Sequence, residues 1–385
     1  MRIRPAVVCA AVFFAVILRG NLTIQRDQQY VALAESFLVG KLYFVQTLDS
    51  WSNASPFGGH FYWPTGPLPA LILMPLVAVS KAMGISFRQG YLSLLLAITA
   101  FFLCFRLARK TGYSDSDSLW LSVAFCLATS FLGVAAIPWS WYLAHLVAVN
   151  LLFLSILEYL GERRWPLIGL FIGLAAAARP PSALNLVFFA LSAFFGTRRE
   201  LRLKAEIYLL SPFAFLIAIL AAYNFARFGS PLESGYTYQL MTDHLEPNIF
   251  ATENVARHLP VFLFGLPIFL GRIVANPDGM GIFLISPFLL YIFFPRRFDR
   301  EDIMLILGVT MVTAAFLAVR STGSIQFGYR FSLDFMPFLF LCMMRRGFGS
   351  GRLLPTGFKI MVITAVLSDL YLFWSFVNVV GELQA

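Results

Sequence analysis

Asp27 stands within a few positions of the end of the first long apolar run and is followed by Gln28, Gln29 and Tyr30. Tyr30, Leu33, Ala34, Phe37 and Leu38 then recur at helical spacing, which predicts an amphipathic helix lying on a membrane surface with Asp27 near its start. Two roles fit an aspartate in that place. It can cap the helix, or a carboxylate held at the surface can take the proton of a hydroxyl group. Five arginines, Arg26, Arg179, Arg227, Arg320 and Arg330, fall on segments expected on that same side. Positive charge is scarce on an outer membrane face, so these arginines need a reason, and a bound anion such as a phosphate supplies one. Arg179 precedes Pro180 and Pro181 at the turn of a short hairpin, where snorkelling to the interface is the alternative reading. Arg330 precedes Asp334 at a spacing that lets the two pair within one helix.

Other polar groups collect near these. Glu35 lies on the predicted surface helix, and His60 and Tyr62 belong to Gly59-His60-Phe61-Tyr62-Trp63-Pro64-Thr65-Gly66-Pro67. Aromatics among Gly and Pro suit either an interfacial belt or the wall of a sugar or isoprenoid groove. Glu233 and Tyr236 sit in Arg227-Phe228-Gly229-Ser230-Pro231-Leu232-Glu233-Ser234-Gly235-Tyr236, and Tyr329 directly precedes Arg330. If Asp27 only caps a helix, the base must be sought among Glu35, Asp49 and Glu233.

These residues are carried by a chain that mostly avoids water. Of 385 residues, 59% are hydrophobic and only 13% charged, where a soluble domain has about a quarter charged. Apolar runs able to cross ~30 Å of hydrocarbon recur from end to end. The net charge of +9 does not point to nucleic acid. It is gathered in short clusters between apolar runs, at Arg106–Lys110, Arg163–Arg164, Arg198–Lys204, Arg296–Arg300 and Arg345–Arg352, as expected for cytoplasmic loops. The start, Met1–Arg4, reads as the cytoplasmic end of an uncleaved first span. Cys9, Cys104, Cys126 and Cys342 all lie inside apolar segments, against a disulfide frame or a zinc site.

With these clusters fixed inside, each interval between them holds an even number of crossings. Spans are expected near 5–19, 88–105, 118–136, 140–160, 206–227, 279–294, 302–319, 330–344 and 356–379, with a short hairpin over 165–196 that breaks at Ala178–Pro181. Parity and internal prolines demote 67–83 and 256–273 to juxtamembrane or half-embedded helices. The expected fold is an all-α polytopic membrane protein of about eleven transmembrane helices, read as a single transmembrane domain over 1–385. Its large outer loops cover about 20–87 and 228–278.

Taken in order, the motifs Arg26-Asp27-Gln28-Gln29-Tyr30, Gly59–Pro67, Ala177-Ala178-Arg179-Pro180, Arg227–Tyr236 and Gly328-Tyr329-Arg330-Phe331 before Asp334 and Pro337 give the chain a resemblance. Over about residues 1–345 it resembles the GT-C superfamily of integral-membrane glycosyltransferases, which includes protein O-mannosyltransferases and aminoarabinose transferases. The resemblance implies transfer of a hexosyl or pentosyl unit, with inversion, from a polyprenyl-phosphate carrier. The site would face away from the cytoplasm, in a bacterial inner or plasma membrane. It gives Asp27 the role of general base and assigns Arg26, Tyr30, Glu35, His60, Tyr62, Arg179, Arg227, Glu233, Tyr236, Tyr329 and Arg330 to substrate binding. The chain departs from the pattern where relatives carry two adjacent acids, since Asp27 is followed by glutamines. A single carboxylate is a poor site for a divalent ion, so neither metal nor cofactor is expected. The expected partners are the lipid-linked sugar donor, the bilayer and an acceptor (lipid, glycan or protein) that the sequence leaves open. The rival class is a multi-pass transporter or lipid flippase, which also explains spans, prolines and intramembrane polar groups.

Overall fold

The computed structural model describes residues 5–46, 53–240, 249–293, 298–323, 325–346 and 353–383. Asp49, the segment Met1–Arg4, the pair Arg296 and Arg297, and Arg352 lie outside the described residues.

Helices dominate. In chain order they are α1 (Pro5–Thr23), α2 (Gln29–Leu38), α3 (Leu68–Ala82), α4 (Gln89–Lys110), α5 (Asp115–Leu127), α6 (Phe131–Ala136), α7 (Ser140–Tyr159), α8 (Trp165–Ala178), α9 (Leu186–Gly196), α10 (Arg202–Phe228), α11 (Thr252–Phe264), α12 (Ile282–Ile285), α13 (Arg300–Leu317), α14 (Met336–Arg346) and α15 (Thr356–Leu383). Two short antiparallel hairpins interrupt them, β1 (Ser55–Phe57) with β2 (His60–Tyr62) and β3 (Ile268–Phe269) with β4 (Ile273–Val274). Among the described residues, five helical stretches are long and apolar enough to cross a membrane: Pro5–Thr23, Gln89–Lys110, Ser140–Tyr159, Arg199–Phe228 and Thr356–Val379. These make the chain an integral membrane protein.

Several of the other expected spans are not single long helices. The stretch 118–136 is divided between α5 and α6, and 165–196 between α8 and α9 with a 3-10 turn at Pro180–Asn185 between them. Among the described residues, the stretch from 279 to 293 holds the four residues of α12 and a 3-10 turn. At 178–181 the break has the expected cause, because Pro180 and Pro181 cannot donate to the preceding turn.

Local sequence sets the helix ends. Ser114 caps α5 by accepting from the Asp117 amide at 3.2 Å, and Asp299 with Asp302 forms a capping box on α13. Gly229 ends α10 with φ 70°, the left-handed geometry that a residue without a Cβ adopts at no steric cost. Basic residues close α4 and α14, where they favour the negative end of the helix dipole. Arg345 also reaches Asp299 (2.8 Å), Glu301 (2.8 Å) and Asp302 (3.2 Å), and Lys359 reaches Asp117 at 2.7 Å, so charges tie the helix ends on this side together.

The enclosed centre is α7, 78% of whose span is buried, whereas α10 is 11% buried and presents its apolar flank outward. Phe125, Phe131, Phe153, Phe188 and Phe288 fill the core. Backbones approach closely on the α1 side. A Cβ at Gly20 would lie 1.9 Å from the Ala136 carbonyl oxygen, and one at Gly90 would lie 2.2 Å from that of Asn21. Small residues permit this contact, and Asn21 reinforces it by donating to Ala135 O at 2.7 Å.

The helix after Asp27 departs from expectation. It does not bury one apolar face alone. In α2, Gln29, Tyr30, Val31, Ala32, Leu33, Ala34 and Ser36 are all buried, and the helix packs into a second core with Trp63, Leu73, Leu143 and Val147. Helical spacing indicates an apolar face, but here α3 and α7 close over the flank as well.

Candidate functional site

Asp27 lies in the short link between α1 and α2, and its backbone is in the left-handed region at φ 60°. Asp tolerates this conformation better than most residues, but it still has to be held there. The clamp comes from the ends of two spans. The fully buried Gln89 side chain at the start of α4 donates to Asp27 O at 2.7 Å and to Pro138 O at 2.5 Å. Ser140, at the start of α7, donates to Asp27 O at 2.7 Å. Gln28 accepts from the Gln89 amide at 2.9 Å, and Gln29 donates to Asp27 Oδ1 at 3.1 Å. The capping reading fails in this geometry. Gln28 occupies the cap of α2 without a side-chain capping bond, and Asp27 precedes it.

A cavity of about 1640 Å³ opens beside this link. Of the residues singled out in the sequence, Arg26, Asp27, Glu35, Arg179, Glu233, Tyr236 and Arg330 line it, and so does Arg320. The remaining candidates are not among its lining residues. His60 is exposed and stacks on Tyr43 at 3.8 Å between ring centroids. Tyr62 packs against Phe228 at 5.0 Å. Tyr329 is buried against Phe262 and Phe316. Tyr30 is buried, with its hydroxyl 2.5 Å from Thr65 Oγ1; burial pushes that hydroxyl well above its ordinary pKa, so it stays protonated. Arg227 is buried between Tyr223 (3.9 Å) and Phe228 (4.7 Å) and donates to Trp63 O at 2.7 Å and Asn224 Oδ1 at 2.7 Å. It ties the β1–β2 segment to α10.

Arg179 caps the C-terminus of α8, where the chain turns into the prolines. Its guanidinium meets the fully buried Asp334 carboxylate in a two-point contact, Nη2 to Oδ2 at 2.7 Å and Nε to Oδ1 at 3.2 Å. Ser182 Oγ donates to the same carboxylate at 3.3 Å. Burial works against the Arg179 charge, and Asp334 more than offsets it, so the net shift of Arg179 is upward. Asp334 therefore pairs with Arg179 across the fold, not with Arg330 along its own helix. Residues 330–334 form a 3-10 turn, which removes the geometry an α-helical pair would need. Arg330 and Arg179 stand at 5.4 Å and 5.1 Å from the Phe331 ring, so one aromatic ring holds both guanidinium groups beside the cavity.

Further residues at or beneath the cavity gave no local signal in the sequence. His145 on α7 lies 3.6 Å from Asp334 and is fully buried. The rule that ionisable groups inside spans carry function could have raised it. Arg257 and His258 on α11 line the far wall with Asp278. Burial, then neighbouring Arg257, lowers the pKa of His258, so it is neutral at pH 7. Gln29, Trp139 and Trp141 complete the wall near Asp27. Among the described residues, no group of three or more His, Cys, Asp or Glu side chains is placed to hold a metal ion. The cavity is thus lined by several carboxylates, Asp27 among them, and several guanidinium groups, Arg179 and Arg330 among them, a set able to take a proton from a neutral donor and to receive an anion.

No protein-family model matches the chain, and no curated protein matches it. Among solved structures, the chain is similar to the apo crystal structure of the Archaeoglobus fulgidus oligosaccharyltransferase, at 10% identity and a TM-score of 0.46. The match covers 97% of this chain and 55% of that one, so the chain spans about half the length of that protein.

Proposed function

We propose that this protein is an integral-membrane glycosyltransferase of GT-C type, moving a hexosyl or pentosyl unit from a polyprenyl-phosphate carrier to an acceptor hydroxyl with inversion. The observation that carries the reading is the meeting of Asp27 with Arg179 and Arg330 on the walls of one cavity of about 1640 Å³. The acceptor hydroxyl gives its proton to the Asp27 carboxylate as its oxygen bonds to the anomeric carbon. The bond from that carbon to the phosphate oxygen breaks on the opposite face, and the electron pair leaves with the phosphate. Charge that develops on the leaving phosphate falls to Arg179 and Arg330, whose positions are fixed before the reaction. The ordered motifs that resemble the GT-C superfamily support the same reading, with the site on the non-cytoplasmic face of a bacterial plasma membrane. About eleven crossings complete it, with α5–α6 crossing as one broken helix and α8 and α9 as the two limbs of the short hairpin over 165–196.

The test is lipid extraction of the purified protein followed by mass spectrometry, with a transfer assay in membranes. Wild type should carry a polyprenyl-phosphate sugar, and Arg330→Gln should lose it while remaining folded. Bound lipid-linked sugar with no glycosidic product under any condition would place the chain with carriers that move such lipids. No bound lipid-linked sugar, together with no transfer, would remove the proposal altogether.

A further inference from the structure

Resting on the transferase reading above, we infer that the acceptor is itself a carbohydrate, its sugar ring seated on a wall formed by Trp139 and Trp141. Whatever presents its hydroxyl to Asp27 must occupy the space next to Asp27, where it also meets the donor's own sugar, so acceptor and donor are told apart by reading bound donor separately from acceptor KM. The lining there is specific. Ser140, which bonds Asp27 O at 2.7 Å, lies between Trp139 and Trp141 in the chain, and both indoles are half-buried and line the cavity. Trp141 is backed by Trp63 at 4.9 Å and Trp139 by Tyr142 at 5.2 Å, so neither ring is free to turn away. A flat indole presents an electron-rich face. The C–H face of a pyranose is weakly positive and apolar, and packs on such a surface. A glycerol headgroup offers no such face, and an extended peptide offers one only through a proline or aromatic side chain.

Gln29 supplies the second observation. It is 4% exposed and lines the cavity, and its Oε1 is buried without a hydrogen-bond partner while its Nε2 is spent on Asp27. An orphaned buried carbonyl carries a cost that a donor from a ligand removes. A sugar hydroxyl next to the one that reacts is a donor of the right kind. Planar amide and carboxylate groups suit vicinal hydroxyls, and Glu35, on the same wall, is tied to Gln46.

The experiment uses the purified full chain with two readouts. In the first, methyl glycosides and short oligosaccharides are compared with sorbitol as stabilisers in thermal unfolding. In the second, methyl glycosides, a Ser/Thr peptide and a glycerolipid compete as acceptors for label from a polyprenyl-phosphate sugar. Glycosides should stabilise and accept, and the other two should not. Trp139→Ala and Trp141→Ala should each raise the glycoside KM by about tenfold while leaving bound donor unchanged, with the Phe variants losing less. Gln29→Leu, which removes the orphaned carbonyl together with the bond to Asp27, should weaken glycoside stabilisation as well. Transfer to the peptide or glycerolipid with no effect of glycosides would overturn the carbohydrate acceptor and leave the transferase standing. Absence of donor and of all transfer would overturn both.

Discussion

At the residue scale, the proposed chemistry rests on how two charged groups are held. Gln89 donates to Asp27 O and Pro138 O from a fully buried position. Gln89→Leu leaves Pro138 O without a donor and Asp27 O with Ser140 alone, and we expect it to lower stability by about 1–3 kcal/mol and to lower turnover, with bound donor retained. Thermal unfolding and the transfer assay read the two effects; unchanged turnover would mean that Asp27 needs no clamp. The Arg179–Asp334 pair permits a sharper comparison. Asp334→Ala strands a buried guanidinium and should cost about 3–5 kcal/mol. The double variant Arg179→Met, Asp334→Leu replaces both charges with apolar groups and should recover most of that stability, yet bind no lipid-linked phosphate. Recovery of donor binding along with stability would show that Arg179 serves the fold alone. Both arrangements explain what the sequence displayed and what it hid. Asp27 was visible as an acid just beyond the first apolar run. Its clamp was not, because Gln89 and Ser140 lie 62 and 113 positions away. Arg330 drew Asp334 as a local partner, whereas the real partner lies 155 positions off.

At the element scale, periodicity identified apolar helices but not what covers them. It marked α2 as amphipathic, and α3 with α7 then buried its remaining sides. Prolines were more informative, since Pro180 and Pro181 end α8 where expected and turn Arg179 toward the cavity. For α3 the length decides. Its 15 residues reach about 22 Å, less than the ~30 Å of hydrocarbon, so we expect no crossing. Ile85→Cys, at a position 56% exposed, should be labelled by an impermeant reagent from the non-cytoplasmic side. Labelling from the cytoplasm alone would place α3 across the membrane and invert the orientation of α4 and the later helices. The close approach of α1 to α4 and α6 is equally testable. Gly20→Val and Gly90→Val put side-chain carbon against the Ala136 and Asn21 carbonyl oxygens. Each should destabilise by about 1–3 kcal/mol, read as a lower unfolding temperature in detergent, as overpacking does elsewhere. A neutral result at both would mean that the helices separate at little cost.

At the scale of the whole molecule, charge separates the two ends. Basic clusters and their acidic partners tie one end together, through Arg345 with Asp299 and Lys359 with Asp117. The cavity with Asp27, Arg179 and Arg330 lies where the opposite ends of α4, α7 and α8 meet. The apolar, weakly buried flank of α10 contributes Leu220 to the cavity wall, as suits the lipid-borne donor proposed above. The most direct measurement is transfer from a polyprenyl-phosphate sugar in membranes holding equal amounts of wild type and Asp27→Asn. Asn accepts the same left-handed backbone and the same clamp, so the fold is preserved. It cannot take a proton, so turnover should fall by at least ~10²-fold while the bound lipid-linked sugar stays at wild-type level. Near-wild-type turnover in Asp27→Asn would contradict a base at this position and send the search to Glu35 and Glu233.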